Sequence, residues 1–196
     1  MTIDNAIEAF ARGQMIIVTD HHDRENEGDL VIAAEFVTPE HINFMTKYGR
    51  GLVCITITNG HAEKLQLKRQ DIRNANAISC AFTTSVDAAC LKTSGISVKD
   101  RALTIQKIAN ANASPNDLST PGHIFPVVAV TGGLKERQGH TEASIELCQR
   151  VNLFPSAVIC EILSEDGSSA LKKELLEFSN THSMPILAIS DLLTTL

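Results

Sequence analysis

The chain predicts an α+β fold, a single-domain mixed β-sheet with surrounding helices, spanning residues 1–196. Three observations lead there. Apolar, β-branched runs of strand length alternate with capped stretches of helical spacing, but not in the strict β-α-β order of a doubly wound sheet. No internal repeat, low-complexity tract or long linker divides the chain. At 43% hydrophobic and 20% charged residues, the composition suits one substantial globular core.

The elements follow in order. Residues 6–12 read as a short helix, 14–20 as a buried strand, and the apolar run 30–34 as a second strand. Thr38-Pro39-Glu40 combines a capping hydroxyl, a proline at the first helical position and an acid in the first turn, so a helix runs from there to about Tyr48 and stops at Gly49. A strand is expected over 53–58, then polar loop and short helix over 59–79, and a strand over 81–86. Ser97 with Asp100 three residues on resembles a capping box opening a helix to about Asn110. A buried strand over 125–130 ends at Gly132-Gly133, and a helix over 141–151 takes Thr141 as its cap. A strand over 158–163, a helix over 171–180 and a strand over 186–189 complete the chain.

Charge and composition exclude several function classes. A net charge of -6 with no basic stripe argues against general nucleic-acid binding, and a chain with no tryptophan and Tyr48 alone offers no stacking platform for bases. No segment approaches the roughly 20 apolar residues of a membrane span. The five cysteines stand far apart with no C-x-x-C pair, against a zinc site or disulfide framework. The N-terminus lacks a basic start and a long apolar core, so a cytoplasmic protein is expected.

The most informative stretch is Asp20 to Asp29, DHHDRENEGD, with five carboxylates, two imidazoles and one guanidinium between two strand-like runs. Asp23, Glu25, Glu27 and Asp29 share one parity, so extended chain points them to one side, where a hard cation such as magnesium or calcium would relieve their repulsion. A solvated acidic loop is the plainer alternative. A calcium loop of the EF-hand kind fails, because the glutamate it needs at position 12 is Ala34 and the flanks are strand-like.

Four further clusters carry chemistry. Arg137-Gln138-Gly139-His140-Thr141 sits at an inferred helix start whose amides suit an anion or substrate oxygen, with His140 as metal ligand or plain capping residue. His123 is presented by Pro121-Gly122 at the mouth of an apolar strand. Glu161 lies inside an apolar run, where burial would suit it to proton transfer and edge exposure would not. Thr93 to Ser97 with Arg101 has the parts of a phosphate cradle, although no Walker or dinucleotide pattern is present.

Together DRENEGDL (23–30), FTTSVDA (82–88), TSGIS with DRALTI (93–105), PNDLSTPGHIFP (115–126), GHTEA (139–143) and AVICE (157–161) resemble the 3,4-dihydroxy-2-butanone 4-phosphate synthases of riboflavin biosynthesis, through nearly the whole chain. The resemblance implies conversion of D-ribulose 5-phosphate to L-3,4-dihydroxy-2-butanone 4-phosphate and formate. The cofactor it implies is Mg2+, with Mn2+ as the alternative and a pair of ions per site. By the same resemblance Glu25 and His140 hold metal, and His123 and Glu161 are required for catalysis. Arg24, Glu25, Asp29, Arg137, Gln138, Gly139, His140, Thr141 and Glu161 line the substrate, with Thr93 and Arg101 at its phosphate end. A homodimer is implied, with no nucleic-acid or membrane partner, and a loop over 24–28 is expected to close on the sugar. Because the chain ends at Leu196, the GTP cyclohydrolase II domain fused to some relatives is expected to be absent. His21-His22, Ile78, Cys80, Ser94 and Gln138 depart from the family pattern. The alternatives are a divergent paralogue acting on a related sugar phosphate, and a silent sugar-phosphate-binding protein.

Overall fold

In the computed structural model, residues 3–71 and 80–195 are described. Helices α1 (Ile3–Ala11), α2 (Pro39–Phe44), α3 (Asn59–Lys64), α4 (Val98–Ile108), α5 (His140–Arg150), α6 (Lys172–His182) and α7 (Ile189–Leu193) flank one sheet. Its strands are β1 (Ile16–Thr19), β2 (Gly28–Ala33), β3 (Cys54–Ile57), β4 (Val86–Ala88), β5 (Leu118–Val128), β6 (Ser156–Glu161) and β7 (Ile186–Ala188). The spatial order is β4-β5-β3-β6-β2-β1-β7. Directions are mixed: β3 runs parallel to β5 and β1 to β7, and the remaining neighbours are antiparallel. The α+β mixed sheet is the fold the sequence predicts.

Both faces of the sheet are covered, because its central strands are apolar on both sides. One face buries Leu30, Ile32, Ile55, Val158 and Cys160 against Ile42 of α2, Ile105 of α4 and Leu175 of α6. The other buries Val31, Cys54, Val127 and Ile159 against Phe10 of α1, Leu147 of α5 and Leu192 of α7. At about 25 cal/mol per Å² of apolar area, such double coverage is the main source of stability.

Local signals explain most boundaries. Ser97 Oγ accepts from Asp100 N at 3.1 Å, so α4 begins where the capping reading puts it. The helix begun at Pro39 widens into a π-type turn over Met45–Gly49 and ends with Arg50 at φ 72. Four expectations are corrected. The strand over 81–86 is a short ladder at Val86–Ala88, preceded by isolated bridges such as Phe82 to Val127, because sustained pairing waits until Val86 and Ala88 are buried. Strand β5 starts at Leu118 rather than 125; its first half pairs only with β4 at the sheet edge, where prolines are tolerated. Helix α5 is capped by Gly139, and Thr141 lies buried in its first turn. Residue 189 opens α7, which buries Ile189 and Leu192, instead of closing a strand. Residues 72–79 of the expected polar stretch, Ile78 among them, lie outside the described residues.

Candidate active site

The acidic stretch is a turn rather than extended chain, and the shared-parity expectation fails at Asp23, while Glu25, Glu27 and Asp29 line one cavity. Asp20 organises the turn. Its Oδ2 accepts from Arg24 Nη1 at 2.8 Å and from Glu25 N at 3.0 Å, and its Oδ1 from Glu27 N at 2.9 Å. Asn26 takes a left-handed conformation, φ 55. The curl sends Asp23 outward beside His21 and His22, all three exposed, while Glu25 turns inward and Glu27 accepts from Ser169 Oγ at 2.5 Å. Asp29 is already in β2, paired with Val18 on one side and Glu161 on the other.

His140, first residue of α5, meets this curl. Its Nδ1 is 3.8 Å from Glu25 Oε2 and 3.9 Å from Asp29 Oδ1, both beyond hydrogen-bond length. His140 Nε2 and Asp29 Oδ1 are buried with no hydrogen-bond partner among the described residues. Donor atoms of Asp20, Glu25 and His140 all lie within 4.8 Å of one another. Unsatisfied buried polar atoms are expensive and rare, and two of them beside this convergence of Asp20, Glu25 and His140 make it a group that could hold a cation. Asp20 as part of that set is visible only here; the sequence reading offers it, with Asp23, only as a helper in proton transfer.

Electrostatics agrees. Burial, reinforced by Glu161 and then Glu27, pushes the Asp29 carboxyl well above the usual carboxylate range. Like charges directly opposite on paired strands destabilise a sheet, and Asp29 faces Glu161 in register. Burial also holds His140 below the ordinary imidazole range, which favours the neutral, ligating ring.

The remaining walls are fixed by hydrogen bonds. Glu161 Oε2 accepts from Leu52 N at 2.8 Å, and the backbone at Gly51 leaves no room for a Cβ, which would stand 2.6 Å from that oxygen. Arg137 Nη1 donates to the buried Glu142 at 2.7 Å, whose other oxygen takes Val130 N at 3.1 Å. A Cβ on Gly139 would lie 2.3 Å from Arg137 Nη1, so the helix start closes tightly on the guanidinium. Arg24, Glu25, Glu27, Asp29, Arg137, His140, Thr141 and Glu161 line one cavity of about 80 Å³, with Cys54, Cys80, Phe82 and Ile159 among its apolar walls.

Other expected site residues stand outside that lining. Gln138 is exposed. Thr93 is exposed and hydrogen-bonds the Asp100 carboxylate, while Arg101, on α4, keeps a buried Nε with no partner among the described residues. His123 lies at the same end of the sheet as Glu161, just before Phe125, the first residue of β5 paired with β3. Its partner is Asp87, which the sequence reading does not single out.

Comparison with known proteins agrees over the whole chain. Residues 4–195 match the family described as 3,4-dihydroxy-2-butanone 4-phosphate synthase. A protein of that name from Neisseria meningitidis serogroup A is 50% identical over 181 residues, 92% of this chain and 50% of the relative. A riboflavin biosynthesis protein of Aquifex aeolicus is 48% identical over 194 residues, 98% of this chain and 48% of the relative. The chain thus spans about half the length of these curated relatives. A crystal structure of a 3,4-dihydroxy-2-butanone 4-phosphate synthase in complex with two magnesium ions superposes with TM-score 0.93 at 37% identity, covering 100% of this chain and 96% of that one.

Proposed function

The chain belongs to the 3,4-dihydroxy-2-butanone 4-phosphate synthase family, and we propose that it is a lyase converting D-ribulose 5-phosphate to L-3,4-dihydroxy-2-butanone 4-phosphate and formate, a step toward riboflavin. The observation that carries the reading is the convergence of Asp20, Glu25 and the buried His140 beside Asp29, with His140 Nε2 and Asp29 Oδ1 left unpartnered among the described residues and Asp29 opposite Glu161. That donor set fits Mg2+: hard oxygens from Glu25 and Asp20, and one neutral imidazole. Glu25 and His140 would hold the metal. When bound, the ion supplies Lewis-acid stabilisation of negative charge on substrate oxygens. Mn2+ as a substitute, a pair of ions per site, a homodimer and a cytoplasmic location belong to the same proposal, as does residues 1–196 forming one synthase domain.

The chain's own residues take these parts. Arg24 and Asp29 bind and orient the sugar, Asp29 by accepting from its hydroxyls. Arg137, steadied by Glu142, faces substrate with Gln138, Gly139 and Thr141 at the α5 N-terminus, where backbone amides and the helix dipole favour negative charge. Thr93 and Arg101 serve the phosphate end, supported by the unpartnered Nε of Arg101. Making an enediol requires proton removal beside a carbonyl, and loss of water and of formate requires protons returned. Glu161, held by Leu52 N, and His123 are the groups that carry them. The apolar walls of Phe82 and Ile159 exclude water from that chemistry.

Formate release from purified protein given D-ribulose 5-phosphate tests the reading. Formate that appears with Mg2+ and ceases with EDTA is the expected result. Folded protein that binds the sugar phosphate yet releases none would favour the paralogue or binding-protein alternative.

A further inference from the structure

His123 rests on a carboxylate, Asp87, that lies within the FTTSVDA motif but to which the sequence reading gives no role. Between β4 and β5 the ladder is irregular: one step along β4, from Val86 to Asp87, corresponds to the step from Ile124 to Ser119 on β5. Residues 120–123 therefore bulge from the ladder, a device that re-aims a side chain. Both oxygens of Asp87 go to the bulged histidine. Oδ1 accepts from His123 N at 3.0 Å and Oδ2 lies 2.8 Å from His123 Nδ1. The Asp87 side chain is 12% exposed and that of His123 38%. On its other side Asp87 is closed off by Gly95 at φ +90, where a Cβ would stand 2.1 Å from Oδ2. Among the described residues no lysine or arginine pairs with Asp87, and the imidazole is its side-chain partner.

We propose that Asp87 is a positioning residue that holds His123 in the Nδ1–H tautomer and aims its Nε2 at substrate. An ionised carboxylate has only acceptor sites, so the 2.8 Å contact requires the proton on Nδ1. Nε2 then keeps its lone pair. The proton it takes from substrate makes an imidazolium whose charge faces Asp87, and returning that proton restores the neutral ring. The bond from His123 N fixes the backbone as well as the ring, so aim and tautomer are set by one side chain. The catalytic part rests on the reading that His123 carries protons.

The test compares wild type, Asp87→Asn, His123→Ala and the double variant by formate release at saturating Mg2+, with nitrogen-15 NMR of histidine-labelled protein at mildly alkaline pH. Asparagine keeps the shape and can still accept from His123 N, but its amide donates to Nδ1 and drives the proton to Nε2. Expected are a neutral wild-type ring protonated at Nδ1, a flipped tautomer in Asp87→Asn, and kcat down roughly a thousandfold with KM and melting temperature little changed. The double variant should be no slower than His123→Ala. Near-normal kcat in Asp87→Asn beside an inactive His123→Ala overturns the positioning role. Normal turnover in His123→Ala overturns the reading of His123 itself. An Nε2–H ring in wild-type protein sinks the proposal without any variant, so a misfolded Asp87→Asn would not shield it.

Discussion

Two histidines stand beside carboxylates at the same end of the sheet, and their surroundings differ in every respect that matters chemically. His140 is buried, with Glu25 and Asp29 at 3.8 and 3.9 Å and Nε2 without a partner among the described residues. His123 is partly exposed, with Nδ1 at 2.8 Å from a single carboxylate that also holds its backbone. The first arrangement leaves buried polar atoms unpartnered among the described residues, which a cation there would satisfy. The second is complete, and leaves one ring nitrogen to trade protons. On the proposed reading the same side chain serves as ligand or proton carrier according to whether its neighbours leave a polar vacancy or close a hydrogen bond.

Variants should separate the two. His140→Ala and Glu25→Gln are each expected to abolish turnover and Mg2+ binding while the fold persists; near-normal formate release in either breaks the metal assignment. His123→Ala should show the opposite pattern. Its kcat falls roughly 10²–10⁴-fold with Mg2+ affinity unchanged by calorimetry, and a parallel loss of Mg2+ binding would erase the distinction.

Stability sharpens the contrast further. Mg2+ at a hundred times its dissociation constant should stabilise wild-type protein by about 2.7 kcal/mol. The rise in melting temperature should vanish in His140→Ala and persist in His123→Ala. The smallest expected effect concerns Asp29. Burial, then Glu161, raises its carboxyl above the usual range, so ionising it is harder in the fold than in the unfolded chain. Below the ordinary carboxylate pKa of about 3.9 the group does no harm. As pH rises through its raised native value the metal-free fold loses stability. In EDTA, Asp29→Asn should therefore melt a few degrees higher than wild type near neutral pH, with the gain shrinking toward pH ~4. A gain independent of pH would mean the charge is not the cause.

Much of the fold was legible because it rests on local signals. Thr38-Pro39 and Ser97 mark helix starts by hydrogen bonds that span three residues, and the runs around Ile17, Ile55 and Val158 are buried on both faces whichever strands they pair with. The misreadings share a non-local cause. Strand β5 hides behind Pro121, tolerable because its first half pairs on one side, and α7 exists because Ile189 and Leu192 find the α1 and α5 layer. Within the site, motif resemblance marked Glu25, His140, His123 and Glu161. Glu142 and Asp87 lie within the matching motifs, but their parts behind Arg137 and His123, like that of Asp20 as organiser of the loop, were not legible, since each acts through a partner four to 36 residues away.

By itself the sequence determined the α+β class, most element positions, the family and the residue types that could bind a cation or move a proton, because periodicity, capping and motif order are properties of the chain read locally. Only the tertiary structure decided which acids turn inward. The parity of Asp23, Glu25, Glu27 and Asp29 predicts one row, whereas the bonds that Asp20 makes across five and seven residues curl the backbone, send Asp23 to solvent and bring Glu25 to His140, 115 positions on. Local pattern sets which way a side chain points relative to its own backbone, but where that backbone goes depends on hydrogen bonds and burial between residues far apart in sequence.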